Sequence, residues 1–240
     1  MRTIYAGEME FSALSELMRE TDEDLELLGC LGQRFIGAGM GPRRIRIRGV
    51  PGNALGAYLN GAELEVFGNA QDAVGDTMNA GRIVIHGNIG DTAGYAMRGG
   101  RIFVRGDAGY RTGIHMKEYR EHRPAIVIGG RAGSFLGEYQ AGGVIAVLGL
   151  GIGRAPIVGG FPCTGMHGGR LILRSDCRDV VLPKQVTARA AGPEDLREIG
   201  DLIGEYADAL GLDAGSIMDA EFTVVTPDSM NPYHQLYVTN

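Results

Sequence analysis

RIVIHGNIGDTAGYAMRGGRIFVRGDAGYRTGIHM, residues 82–116, carries nearly the same sentence twice. Gly87, Gly90 and Gly94 return 19 positions later as Gly106, Gly109 and Gly113, and Gly100 repeats Gly81 at the same interval. Carried backwards, the register gives one column of Gly49, Gly68, Gly87 and Gly106 and another of Gly37, Gly56, Gly75, Gly94 and Gly113. A fixed period of this length marks a coil repeat. Each repeat opens with two apolar residues two positions apart: Ile45/Ile47, Leu64/Val66, Ile83/Ile85, Ile102/Val104, Ile126/Ile128, Ile145/Val147 and Leu171/Leu173. Period-two alternation makes each pair one face of a short strand. Successive pairs lie 19, 19, 19, 24, 19 and 26 residues apart, so two repeats carry insertions while the phase survives. Strands stacked one coil above another pair in parallel without crossover helices. The expected fold is all-β, a parallel β-helix of about seven 19-residue turns.

Glycine is 40 of 240 residues, about 17% against roughly 7% in ordinary proteins. In a coil these glycines turn corners, where positive φ or close backbone passage excludes a Cβ. Leu59, Met78, Met97 and Met116 share the period and read as an inward ladder of flexible side chains. The residue between each apolar pair should face solvent. Arg46 and Glu65 do so in character, but Val84, Phe103, Val127, Ala146 and Ile172 do not. These five need an apolar cover, either the C-terminal helix or a partner. They are the candidate interface, together with His115 and His167, which follow glycine corners beside the insertions.

Outside the repeat, Ser12–Glu20 has helical spacing at Leu14, Leu17 and Met18. Pro193, Glu194 and Asp195 open an amphipathic helix carrying Leu196, Ile199, Leu202, Ile203, Tyr206 and Leu210, and Gly211 closes it. Alternation at Phe222 and Val224 is brief, so Asp228–Asn240 reads as an extended arm packed by Tyr233, Leu236 and Tyr237. The organisation is then a cap with a short helix over 1–24, the β-helix over 25–175, and a helix and arm over 176–240. The insertions read as a charged loop, Lys117–Arg123, and an apolar glycine-rich one, Leu150–Gly165.

A formal charge of −6 and basic residues dispersed along the chain argue against nucleic acid. No run of 18 apolar residues offers a membrane span and the first 20 residues are too polar for a signal peptide, so a cytoplasmic chain is expected. Cys30, Cys163 and Cys177 lack a CxxC and read as buried thiols. Val144–Pro156, VIAVLGLGIGRAP, imitates a strand and dinucleotide loop, but Arg154 replaces the third glycine and no helix can follow. Cys163 and His167 are poorly spaced for zinc. No G-x-S-x-G occurs. Asp72, Asp76 and Asp91 make an acid/base pair conceivable, and with it a stand-alone hydrolase, though Trp is absent.

GQRFIGAG (32–39), GVPGNALGAYLNG (49–61), the run from Glu65 to Tyr119, VIGGRAGSFLGEYQAGGVIAVLGL (127–150) and TGMHGG (164–169) together resemble the glycine-patterned (GXGXG) C-terminal domain of the glutamate synthase large subunit. The likeness is co-linear and covers about Gly32–Arg174. It implies a right-handed β-helix holding no cofactor of its own and bracing a glutamine amidotransferase against a synthase that carries FMN and an iron–sulfur cluster. The chain would be a separately encoded version of that domain, not catalytic alone, partnered by those two subunits or by further copies of itself. The reaction implied for the whole complex is amide transfer from glutamine to 2-oxoglutarate. The family's amidotransferase nucleophile, an N-terminal Cys, has no counterpart here, where the chain begins Met1-Arg2. Similar coils occur in a methylglutamate synthase subunit and in a subunit of formylmethanofuran dehydrogenase, which the resemblance leaves as alternatives.

Overall fold

A computed structural model describes residues 1–228. Strand β1 (Arg2–Tyr5) and helix α1 (Phe11–Arg19) precede the repeat, whose strands are β2 (Leu25–Leu31), β3 (Arg44–Val50), β4 (Asn60–Phe67), β5 (Ala80–Ile85), β6 (Arg101–Val104), β7 (Ala125–Ile128), β8 (Ala141–Val147) and β9 (Gly168–Leu173). After these come β10 (Val186–Ala190), helices α2 (Pro193–Leu210) and α3 (Ala214–Met218), and β11 (Thr223–Pro227). All eleven strands form one sheet in the order β1 to β9, then β11, then β10.

Pairing from β1 to β9 is parallel, and it places the repeat's like residues one above another. Ile45 lies opposite Leu64, Leu64 opposite Ile83, Ile83 opposite Ile102, and the column continues through Ile126 and Ile145 to Leu171. Each of these side chains is buried, and full burial of such a side chain contributes about 1.5–3 kcal/mol. A second wall is marked by single parallel bridges at Ala70, Ile89, Ala108, Ala132 and Val158. The solenoid has about 8 turns.

The corner that closes each coil takes left-handed φ at alternate residues, as at Thr92 (57°), Gly94 (67°) and Ala96 (49°). Their N–H groups bond to neighbouring coils: Gly94 to the Val74 carbonyl at 2.7 Å, Thr92 to that of Tyr110 at 2.7 Å. A Cβ on Gly94 would lie 2.4 Å from Cδ1 of Ile126, so the core isoleucine fills the space that the glycine leaves. Cys163 holds the same column position in the last coil, with φ 59° and its N–H on the Leu136 carbonyl. A side chain fits there because no further coil sends an isoleucine inward.

Leu59, Met78, Met97 and Met116 line the interior, fully buried, and the column continues through Gln140 to Met166. Gln140 is its polar member. Its Nε2 donates to the carbonyls of Gly142 and Gly143, both at 3.1 Å, where the ladder between β8 and β9 shifts register.

Three strands go beyond the sequence reading. β1 adds a parallel strand below β2, with Ile4 opposite Leu27, while Leu14 and Met18 of α1 enter the core. At the other end β11 reverses direction and pairs antiparallel with β9, Val224 opposite Ile172, and β10 pairs antiparallel with β11. The brief alternation at Phe222 and Val224 therefore marks the start of a strand held inside the main sheet, between β9 and β10. The arm expected to run to Asn240 on Tyr233, Leu236 and Tyr237 lies, past Asp228, outside the described residues. The apolar loop expected over Leu150–Gly165 is shorter: Val158 already pairs with Ala132, and Phe161 and Cys163 form a regular corner. The charged insertion turns tightly, Tyr119 bridging His122, and Glu118 accepts the Gly143 N–H at 3.1 Å.

Candidate functional site

Of the two covers the sequence allowed for the apolar outward column, the chain supplies its own. Val84, Phe103, Val127, Ala146 and Ile172 are all buried in one cluster with Ile199, Ile203, Tyr206, Ala207 and Leu210 of α2, Ile217 of α3, and Phe222 and Val224. As candidate interface residues these five are corrected: an amphipathic helix folds back onto them, and none of them is exposed. Phe103 meets Tyr206 edge-on at 5.8 Å, and the Tyr206 hydroxyl donates to the Val104 carbonyl at 3.2 Å. Burial pushes that phenol up to about 12. Gly129 makes the approach possible, since a Cβ there would stand 2.4 Å from the Tyr206 oxygen. The helix is fixed at both ends. At its start the Asp195 carboxylate accepts from the Gly192 N–H at 2.8 Å and binds Arg189, which holds its pKa down to about 2. At its end Arg105 donates to the Leu210 carbonyl and Gly211 turns left-handed, φ 62°.

The cover stops at Val84, because the outward residues on β2 to β4 are charged. Glu63 binds both Arg44 (3.4 Å) and Arg82 (3.3 Å), Glu65 binds Arg46 (3.6 Å) and His86 (3.1 Å), and Arg48 binds Glu26 (3.1 Å) over the Phe67 ring. A cleft of about 280 Å³ lies over this ladder beside Ala209. Its charges are paired within the sheet, as a solvated face would have them.

The groups that might do chemistry are engaged in holding coils together. Asp72 and Asp91 accept the N–H of Asp91 and Tyr110, one coil on, at 2.9 and 2.8 Å, and Asp76 accepts from Thr77 at 2.8 Å. Asn69, Asn88 and Asp107 form a second ladder of the same kind, at 2.8 Å throughout. Ser134 Oγ accepts the Gly160 N–H at 3.1 Å. Burial pushes the thiols of Cys30 and Cys163 up to about 11 and 12. His115 and His167 are not brought together: His115 sits one residue before Met116 on its corner, while His167 follows Met166 and bonds the Gly165 carbonyl at 3.0 Å. Gly149, Gly151 and Gly153 all turn left-handed, in a loop with no helix after it. Among the described residues, no group of three or more His, Cys, Asp or Glu is placed to hold a metal, and no helix is long and apolar enough to cross a membrane.

The sequence reading missed two rows of aromatic rings on the outer corners. Tyr110, Phe135 and Phe161 are spaced 5.2 Å apart at each step, and Tyr95, His115 and Tyr139 lie 6.0 and 5.1 Å apart. The Arg111 guanidinium packs on Tyr110 and Phe135, 5.0 and 5.4 Å from their centres, and its Nε donates to the buried Glu138 carboxylate at 2.8 Å. The signal was present but displaced. Arg111, Phe135 and Phe161 occupy one corner position in successive coils, and the insertions stretch their spacing to 24 and 26 residues.

A family model described as the GXGXG motif matches residues 25–228. An uncharacterized protein of Methanocaldococcus jannaschii is 39% identical over 248 residues, covering 98% of this chain and 95% of that one. Among solved structures, a chain of the formyltransferase/hydrolase complex from Methylorubrum extorquens, crystallised with methylofuran, superposes with a TM-score of 0.61. It is 23% identical and the match covers 82% of this chain and 71% of that one, a likeness of fold. The chain belongs to the GXGXG motif family.

Proposed function

We propose that this member of the GXGXG motif family is a scaffold subunit of a glutamate-synthase-type complex, with no catalytic residue of its own. The observation that supports this most is the use made of its reactive groups. The Asp72, Asp91 and Asp107 carboxylates each bind a backbone N–H of the following coil, which commits them to stacking. A carboxylate oxygen so engaged is turned to the backbone and away from any bound substrate. On this reading FMN and the iron–sulfur cluster belong to a synthase subunit and the glutamine-hydrolysing nucleophile to an amidotransferase subunit. The present chain holds the two in place.

The fold likeness to a chain of a formyltransferase/hydrolase complex favours a second reading, in which the same scaffold serves one-carbon chemistry. A methylglutamate synthase remains the third member of this set. Tagging the chain in its own cells and identifying what co-purifies discriminates them. Subunits bearing FMN and an iron–sulfur cluster support the first reading, and formyl-transferring or hydrolytic subunits the second. The purified chain alone should form no glutamate from glutamine and 2-oxoglutarate. Glutamate formation by it would sink the scaffold assignment.

A further inference from the structure

The outer corners of the last coils carry side chains that the fold does not ask for. At these positions the backbone is left-handed, a conformation that glycine adopts freely and bulky residues adopt at a cost. The earlier coils meet it with Ala54, Ala73, Thr77, Thr92 and Ala96, apart from Tyr58 and Phe35. The later ones place Arg111 (57°), His115 (55°), Phe135 (59°), Tyr139 (53°) and Phe161 (59°) there instead. None of these points into the core. Phe161 is 69% exposed, Tyr95 42% and Tyr110 36%. The rings contact one another within the chain, but Phe161 combines a left-handed backbone with an exposed ring, and burial in the chain does not offset that strain.

The chemistry of that compensation is readable. Glu138, buried beneath, binds Arg111 through Nε, and the guanidinium packs against both rings from one side. Its two Nη groups find no acceptor among the described residues. A guanidinium so fixed presents a planar fork that matches a carboxylate. His115 takes the other left-handed non-glycine position of that coil's corner, on a chain whose overall charge is −6. The bordering carboxylates Asp91 and Asp107 are turned to the N–H groups of Tyr110 and Arg131.

We infer that the face formed by Tyr95, Tyr110, Arg111, Phe135, Tyr139 and Phe161 docks a partner subunit, through a segment that sets a carboxylate on Arg111 and apolar side chains on the rings. This rests on the scaffold reading and names the surface that does the holding. Aromatic and arginine anchors are what protein interfaces concentrate their affinity in.

The test uses the complex as isolated with its co-purifying subunits. The photoreactive residue p-benzoylphenylalanine replaces Phe161 or Tyr95 in turn, with Val181, more exposed than either and a member of neither row, as control. Irradiation should cross-link Phe161 and Tyr95 positions, and not Val181, to one segment of another subunit containing Asp or Glu. In parallel, Arg111→Gln and Arg111→Lys should each weaken retention of that subunit at least tenfold at a temperature where the isolated variant keeps the parent's far-ultraviolet circular dichroism, its thermal midpoint being lowered by loss of the Glu138 pair. If subunits co-purify but the cross-links fall on a second copy of this chain, on a segment without a carboxylate, or nowhere, the inference is overturned and the scaffold reading stands. If no subunit co-purifies, both fall.

Discussion

Gly94→Ala, read together with Ile126→Val, isolates what the corner glycines do. At φ 67° an alanine is strained, by about 1–2 kcal/mol. Its Cβ would also stand 2.4 Å from Ile126 Cδ1, an overlap that typically costs about 1–3 kcal/mol in a packed core. The single substitution should therefore destabilise by about 2–5 kcal/mol in total. Ile126→Val removes the offending methyl, and the next atom, Cγ1, is at an ordinary 3.5 Å. Alone it should cost about 0.5–1.5 kcal/mol. In the double variant the overlap vanishes and the torsional strain stays. The pair should then be less destabilised than the sum of the singles by about 1–3 kcal/mol. Guanidinium unfolding of all four proteins, followed by circular dichroism, measures this through the midpoint and slope. Additivity within about 0.5 kcal/mol would refute the steric argument and leave the torsion as the only reason for glycine.

Glycines elsewhere should behave in the opposite way: Gly204 lies inside α2 with open space around it, so Gly204→Ala should stabilise by about 0.5–1 kcal/mol in the same unfolding assay. Asp195, held to about 2 by Arg189, gives stability that is present above its unfolded pKa and lost as pH falls through the folded one. Thermal midpoints should accordingly fall between about pH 4 and pH 2 in the parent, and an Asp195→Asn variant, weaker at neutral pH, should flatten that part of the profile. The native protein should resist thiol reagents near pH 8 at Cys30 and Cys163, which are buried with raised pKa values, and react at all three cysteines only when unfolded. Titration of two or more thiols in the native state would contradict the buried positions. Tyr206→Phe should cost about 1 kcal/mol, the worth of its hydrogen bond to Val104, with near-ultraviolet circular dichroism reporting whether Phe103 stays packed.

Periodicity made the parallel stack legible, because a 19-residue register translates directly into who lies above whom: Ile45 over Leu64 and Met78 over Met97 needed no structure. Helix α2 was equally plain, since its apolar stripe, Pro193 and Gly211 agree with one another. What covered Phe103 was not decidable from the chain alone, as helix and partner would satisfy the same apolar column. Strands β1, β10 and β11 escaped for a different reason. Each is four or five residues long and lacks a counterpart one period away, and an antiparallel strand such as β11 has no phase to share with a parallel repeat. The aromatic rows escaped because the insertions move Phe135 and Phe161 off the period, and because a left-handed corner occupied by phenylalanine contradicts the preference by which corners are recognised. A reading that counts only departures from apolar patterning finds Val84 and Phe103, which the chain buries itself, before it finds Phe161, which it leaves exposed.

The reversal at β11 also sets the molecule's length. A stack of identical coils offers its last strand as a template for the first strand of the next molecule, and head-to-tail addition of that kind has no natural end. Here the second wall stops at Val158, and the sheet continues through a strand running the other way before closing on β10, whose edge carries Arg189 drawn into an ion pair. The cross-section at that end no longer repeats. Among the described residues, an incoming β1 would find a single strand to pair with and no corner to stack on, so a repeat that could have run on into a filament is interrupted at this end.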